Sequence, residues 1–383
     1  MTTQGQKNYI ANKSLAPLPQ PHLTGLKLQE DISLNGFVFN KIDAYGVLWV
    51  ITDIKGWWNP PTPDILDIKR GWNDGSYDVK GRYQSRELTL EGSILCTVPT
   101  LAPAARSRLV AAINLVRQGA WLKTEEDPTK ASYVRLSGEP NIETVSARGR
   151  IDFSIGLRAA DPIKYSWNND DVTYGYDTVS IDALSASPSH TGIATITNDG
   201  DVDVSVYLSI TGPIVGPASI INTTNLETIT ITGTLRGATT KTVNNKAISN
   251  SVVTLTTSTA HGLVIGDVVT VSSVGAAYNG EQVVSSIPTT TTFTYLLTGY
   301  TGGNVSSTAG SGTVAYGPDL LEIDTYNREV TLNGEFTGAR LKLEVYNEWI
   351  TLSPGANVIS FYDNGAANST ANLTIDYRSG WLA

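Results

Sequence analysis

The sequence predicts a mainly β protein with a single packed α-helix. Three observations carry this. Apolar and polar residues alternate through most of the chain, the period of half-buried strands. Gly, Ser, Thr and Asn are in excess, and 35 of the 383 residues are Gly, a composition of turns and exposed strands. One stretch alone, Pro103–Gln118 (PAARSRLVAAINLVRQ), has helical spacing. There Ala105, Leu109, Ala112, Ile113 and Val116 form one apolar stripe. Pro103 suits the first helical position, Gly119 the left-handed stop, and Arg117 the negative end of the helix dipole. A lone helix in a β chain is expected to dock on a sheet.

The length predicts two or three domains with sizeable cores. The net charge of −9 argues against nucleic acid as the main partner, because phosphate binding needs a basic surface. The one cysteine, Cys96, excludes an intramolecular disulfide and a cysteine-rich zinc site. No signal peptide is legible, and no run approaches the roughly 20 apolar residues of a membrane span. The expectation is a soluble, cytoplasmically made protein.

Residues 1–31 are polar and punctuated by proline (APLPQPH), and read as an extended arm. Residues 32–164 read as a β-sandwich-like first domain around helix 103–118. Ile32–Ile54 alternates as strands about a tight turn. GWWNPPTPDILDIKRGWNDGSYD is then a structured loop, with turn chemistry at Asn73-Asp74-Gly75. Its Trp57, Trp58 and Trp72 have two readings: they cap a core edge, or they anchor a subunit interface, where Trp is enriched. RELTLEGSIL is the cleanest strand, with Leu88, Leu90 and Ile94 on one face. GAWLK, Tyr133–Leu136 and RGRIDFSIGLRA continue the sheet, and Glu125-Glu126-Asp127 reads as a solvated acidic turn.

Residues 165–237 and 315–383 read as a second, all-β domain with a hairpin turn at Asn198-Asp199-Gly200. Strands are expected at Ile193–Thr197, Val204–Thr211, Thr228–Leu235, Leu320–Asp324, Glu329–Leu332, Arg340–Tyr346, Trp349–Leu352, Asn357–Phe361 and Ala371–Tyr377, the spacing of a β-sandwich. Residues 238–314 differ abruptly: they are rich in Thr, Ser, Val and Gly and nearly uncharged. They read as an inserted small β-barrel-like domain, with strands near Val252–Thr257, Val268–Val274, Glu281–Ile287, Thr292–Leu297 and Gly312–Tyr316.

Catalytic and metal chemistry is not legible. His22, His190 and His261 are the three histidines, and none stands at ligand or triad spacing from a Cys, Asp or Glu. Asp199, Asp201 and Asp203 suggest calcium, but the sixth and twelfth loop positions hold Val204 and Ile210 where Gly and Glu are needed. No phosphate loop, dinucleotide fingerprint or nucleophile elbow is present. The expectation is a protein that is not an enzyme and needs no cofactor.

The order of motifs resembles siphophage distal tail proteins, close to minor tail proteins of actinobacterial phages. The first domain carries Gly71-Trp72-Asn73-Asp74-Gly75-Ser76-Tyr77, Gly81-Arg82-Tyr83, Arg86–Gly92 (RELTLEG), the helix, and Ala159-Ala160-Asp161-Pro162. The second carries Asn198-Asp199-Gly200, Val204–Thr211, Leu352–Asn357 (LSPGAN) and Tyr377-Arg378-Ser379-Gly380-Trp381. The resemblance implies a structural virion component at the tail tip, made in the host cytoplasm. It implies a first (belt) domain that forms a homo-hexameric ring, and a galectin-like second sandwich. The implied partners are the tail tube protein and the tail-tip hub, with the tape measure and other minor tail proteins as further candidates. The insertion resembles β modules found in many phage tail proteins, and its task is not implied. An alternative is a carbohydrate-binding module for host glycan, with Tyr278, Tyr295, Tyr300 and Trp349 as contacts; as ordinary strand aromatics these residues would bind nothing.

Overall fold

A computed structural model describes residues 32–79, 81–146, 149–171, 175–183, 192–336, 339–344, 348–363 and 369–383. The expected arm 1–31, with His22, and His190 lie outside the described residues. The chain divides into two units, residues 1–174 with 381–383, and residues 175–380. No helix among the described residues is long and apolar enough to cross a membrane.

In the first unit the alternating stretches become one antiparallel ladder. Its neighbours run Ile32–Leu34, Ala120–Thr124, Lys130–Leu136, Arg150–Ala159, Arg86–Cys96 and Val47–Lys55. Leu88, Leu90 and Ile94 point into the core with Ile151, Ile155 and Leu157 from the facing strand. Gly92 is required in this motif because a Cβ there would stand 2.4 Å from both the Phe153 ring and the Val50 carbonyl.

The helix runs Ala102–Val116, after a 3-10 turn at Pro99–Leu101. Pro103 therefore sits one position inside the helix rather than at its first residue. Ala105, Leu109, Ile113 and Val116 are buried in the sheet's core, and Ala112 is half-buried at the stripe's edge. Each of the three larger side chains contributes about 1.5–3 kcal/mol by leaving water. Gly119 has φ +109°, and its N–H donates to the Val116 carbonyl at 3.0 Å. The acidic turn differs from expectation. Glu126 points inward and accepts from Trp57 Nε1 at 2.6 Å, Thr124 Oγ1 at 2.8 Å and Lys130 Nζ at 3.0 Å.

Among the described residues the second unit holds a two-stranded pair of Val204–Ser205 with Thr351–Leu352 and two larger antiparallel sheets. One orders Asp177–Asp182, Asn372–Tyr377, Tyr207–Thr211, Leu320–Asp324 and Glu329–Leu332; the other orders Ile193–Asn198, Gly355–Asp363, Ala218–Asn222 and Glu227–Ile231. Two expectations are corrected here. Where a strand was expected at Arg340–Tyr346, Ala339–Lys342 forms a 3-10 turn, and residues 345–346 lie outside the described residues. Asn198-Asp199-Gly200 does not join a hairpin, because the strands flanking it belong to different sheets. The Asn198 side chain is buried and donates to the carbonyls of Val202 (2.7 Å) and Leu352 (3.0 Å), so it serves as a crossover staple.

Between these sheets in sequence lies a closed barrel of six strands, ordered Val252–Thr257, Thr292–Leu296, Gly280–Thr289, Val268–Ser272, Thr313–Tyr316 and Thr239–Ser249, the last pairing back to the first. Val305–Ala309 lies outside the closure, paired to Thr239–Ser249. Val253, Leu255, Val269, Val271, Val284, Phe293 and Val314 fill the interior.

Candidate functional site

Two features of the first unit lack a role in its own core: a cavity where the ladder ends meet, and an exposed arm. The cavity arises from closure. Residues 37–43 bridge the ladder's two ends: the Phe39 N–H donates to the Ile32 carbonyl at 2.7 Å, and the Asn40 N–H to the Trp49 carbonyl at 2.6 Å. A cavity of about 310 Å³ opens against this bridge, lined by Phe37, Val38, Lys41, Ile42, Asp43, Trp49 and Arg108. The rings of Phe37 and Trp49 meet edge to face at 4.7 Å. Arg108, from the helix, pairs with Asp43 at 2.5 Å and lies over the rings of Tyr45 (4.5 Å) and Trp49 (5.6 Å). Its Nε is buried without a hydrogen-bond partner. Burial works to raise the Asp43 pKa. Hydrogen bonds from Trp49, Val47 and Tyr45, then the Arg108 charge, outweigh it and hold the carboxyl below its usual range.

The arm is the loop predicted around Asn73-Asp74-Gly75. Pro63–Asp64 pairs with Arg82–Tyr83, and Ile68–Lys69 with Ser76–Tyr77. At the tip the Arg70 N–H donates to the Gly75 carbonyl at 3.1 Å, and Gly75 takes φ +91°. Every described residue from Thr62 to Gln84 is exposed, including Ile65, Leu66, Ile68, Tyr77 and Tyr83, and Trp72 is 100% exposed. The base of the arm is fixed instead by Arg86. This side chain is buried at 3% exposure and donates to the carbonyls of Gly56, Trp57, Asn59, Pro162 and Leu382.

The three tryptophans therefore part company. Trp57 is fully buried, its indole held by Glu126, so it is a core residue and offers no surface for a subunit contact. Trp58 is half-exposed and Trp72 fully so. The aromatic residues of the glycan alternative are not brought together on a surface. Tyr295 is buried in the barrel and donates to the Tyr278 carbonyl at 2.8 Å, and Tyr278 is itself buried. Both are corrected to core residues: the barrel closes around their rings. Tyr300 packs against the same core, and Trp349 is half-buried outside the barrel. His261 is buried; its Nδ1 accepts from the Leu263 N–H at 3.0 Å and its Nε2 faces the Thr289 carbonyl at 3.2 Å, a turn-holding role. Among the described residues no cluster of three His, Cys, Asp or Glu side chains would hold a metal ion.

Residues 316–381 match the family model described as siphovirus-type tail component, C-terminal domain. This segment is similar to that family's C-terminal domain. The matched segment supplies strands to two sheets of the second unit, together with Asn357, Ser379 and Gly380, which close on Asn222, Asp199 and Asn198. Among solved structures, the chain is similar to the Dit protein of phage SPP1, described as a paradigm of the hub adsorption apparatus in phages infecting Gram-positive hosts. The identity is 10% and the TM-score 0.44, over 91% of this chain and 98% of that one. It is also similar to a chain of the phage p2 baseplate in its activated conformation with strontium (9% identity, TM-score 0.32, 91% and 97% covered). The calcium form of that baseplate gives 10% identity and a TM-score of 0.24, over 88% and 98%. No curated protein matches the chain.

Proposed function

We propose that this siphophage tail component is a distal tail protein whose first unit closes into a six-membered ring, joining the tail tube to the tip hub. The observation that carries the reading is the family segment 316–381. The exposed arm supports it, since an isolated two-stranded hairpin is marginal in water and a row of uncovered apolar side chains marks an interaction surface. In this reading the protein is not an enzyme, the second unit is a galectin-like sandwich carrying the barrel outward, and the site of action is the virion tail tip. The other partners are the tube protein, the hub, and as further candidates the tape measure and other minor tail proteins. A closed ring requires head-to-tail contacts that return on themselves by rotation. The glycan alternative has no observation in its favour, since Tyr278 and Tyr295 are inside the barrel. Light scattering and negative-stain imaging across a concentration series test the ring. Rings support it; monomers at every concentration, with no attachment to tail tubes, overturn it.

A further inference from the structure

We propose that the N-terminal segment 15–21 of this chain (LAPLPQP) seats in the cavity beside Trp49 and Arg108 of the same molecule. The inference stands apart from the ring reading. The place where the chain enters the fold argues for this occupant. The Ile32 carbonyl accepts from the Phe39 N–H at 2.7 Å, and the neighbours Phe37, Val38 and Lys41 line the cavity. The residues before Ile32 therefore arrive beside the cavity. Ten residues, 22–31, separate Pro21 from Ile32. They span up to about 35 Å when extended, which leaves slack to turn back. A tether of that length holds the segment at an effective concentration on the order of millimolar, which favours its own cavity over that of another copy.

The chemistry of segment and cavity is complementary. Pro17, Pro19 and Pro21 alternate with Leu18 and Gln20, a composition that favours polyproline II. In that conformation the carbonyls make no internal bonds and the prolines bring no N–H. Such a segment docks on aromatic-lined grooves and offers more acceptors than donors. The cavity is lined by Phe37 and Trp49, whose rings meet edge to face at 4.7 Å. It also presents a donor that lacks an acceptor, the buried Arg108 Nε. Arg108 and Asp43 already pair at 2.5 Å, so an occupant without charge suits it, and residues 15–21 carry none. The volume of about 310 Å³ lies at the low end of ligand clefts, about 300–1,000 Å³, and takes a few side chains of one strand. Val38 and Ile42, 39% and 64% exposed, supply the apolar rim that the segment would cover.

The test places a photo-crosslinking residue at position 20 of the full chain and maps products by mass spectrometry. An equal mixture of isotopically heavy and light protein separates contacts within a molecule from contacts between molecules. Crosslinks from position 20 to residues 37–49 or to Arg108, joining light to light and heavy to heavy, are expected. In the same background Leu18→Asp should cut their yield by roughly tenfold, because it brings a charge into an apolar contact. Crosslinks that join light to heavy, crosslinks to other residues, or none at all overturn the proposal. A yield that Leu18→Asp leaves unchanged overturns it as well. Each of these results leaves the ring reading standing, since that reading is judged by assembly and not by position 20.

Discussion

Arg236 and Asp267 form a two-pronged ion pair, with Nη1–Oδ2 at 2.6 Å and Nη2–Oδ1 at 3.0 Å. Arg236 lies just before the barrel begins, and Asp267 lies within it. The same guanidinium also reaches Asp319, just after the barrel ends, at 2.8 Å. The backbones of Arg236 and Asp319 hydrogen-bond as well: the Asp319 N–H donates to the Arg236 carbonyl at 2.8 Å. Both strands that enter and leave the barrel are thus tied to one cation. Asp267 and Asp319 raise the Arg236 pKa by hydrogen bonding, which outweighs the burial that opposes it.

Cutting this tie should loosen the barrel before the sheets. Arg236→Ala leaves Asp319, 7% exposed, as a buried carboxylate without its cation, and the expected loss is about 3 kcal/mol. Limited proteolysis should then cut first near Gly237 and Gly317. Unchanged melting and unchanged cleavage would show that the pair contributes nothing.

Acid should weaken both units for related reasons. Burial works to raise the pKa of Asp319 and of Glu126. Hydrogen bonds outweigh it, led by Arg236 for Asp319 and by Trp57 for Glu126, and both carboxyls lie below their ordinary value. Their contribution is complete above the unfolded value of about 4 and is lost as pH falls through the folded values. Melting temperature should therefore be flat from neutrality to about pH 5 and fall below about pH 4. Asp319→Asn should flatten that fall, and an equally steep profile in this variant would remove Asp319 from the account.

Arg86 should matter more than its place in a strand suggests. Arg86→Ala strands five carbonyls at the arm's base, and unsatisfied buried groups cost about 1–3 kcal/mol each. A loss of about 3 kcal/mol or more is expected, read by denaturant melting of the full chain. Arg86→Lys keeps the charge without the fork and should recover only part of it. Full recovery by lysine would mean that charge, and not the fork, holds the arm.

The helix is a structural brace, with Leu109 at 0% and Ile113 at 4% exposure. Leu109→Asp with Ile113→Asp buries two unpaired carboxylates, each costing several kcal/mol. Circular dichroism of the purified variant should show a first unit that does not fold. A soluble variant that still assembles would mean that the stripe faces elsewhere.

Legibility in the sequence followed locality. The helix was readable because its stripe, its stop at Gly119 and its apolar face all lie within one stretch. Leu88, Leu90 and Ile94 were readable because a half-buried strand alternates. Thr239–Ser249 was not, because register shifts at Val243/Asn245 and Lys246/Ile248 break the alternation and put Asn244, Asn245 and Lys246 in sequence. Asn198 looked like a hairpin turn because turn chemistry is local, whereas its partners Val202 and Leu352 include one that is distant. Trp57, Trp58 and Trp72 share a composition but not a fate, since only the fold decides which indole meets Glu126. The cavity beside Arg108 was invisible for the same reason: the helix brings Arg108 to Asp43, 65 residues away.

We propose that this chain builds the ring between tube and hub. Cryo-electron microscopy of intact tails, with this protein located by a bound antibody fragment, tests it most directly. The account predicts six copies in one ring at the distal end of the tube. Label along the tube, or none on the virion, would contradict it.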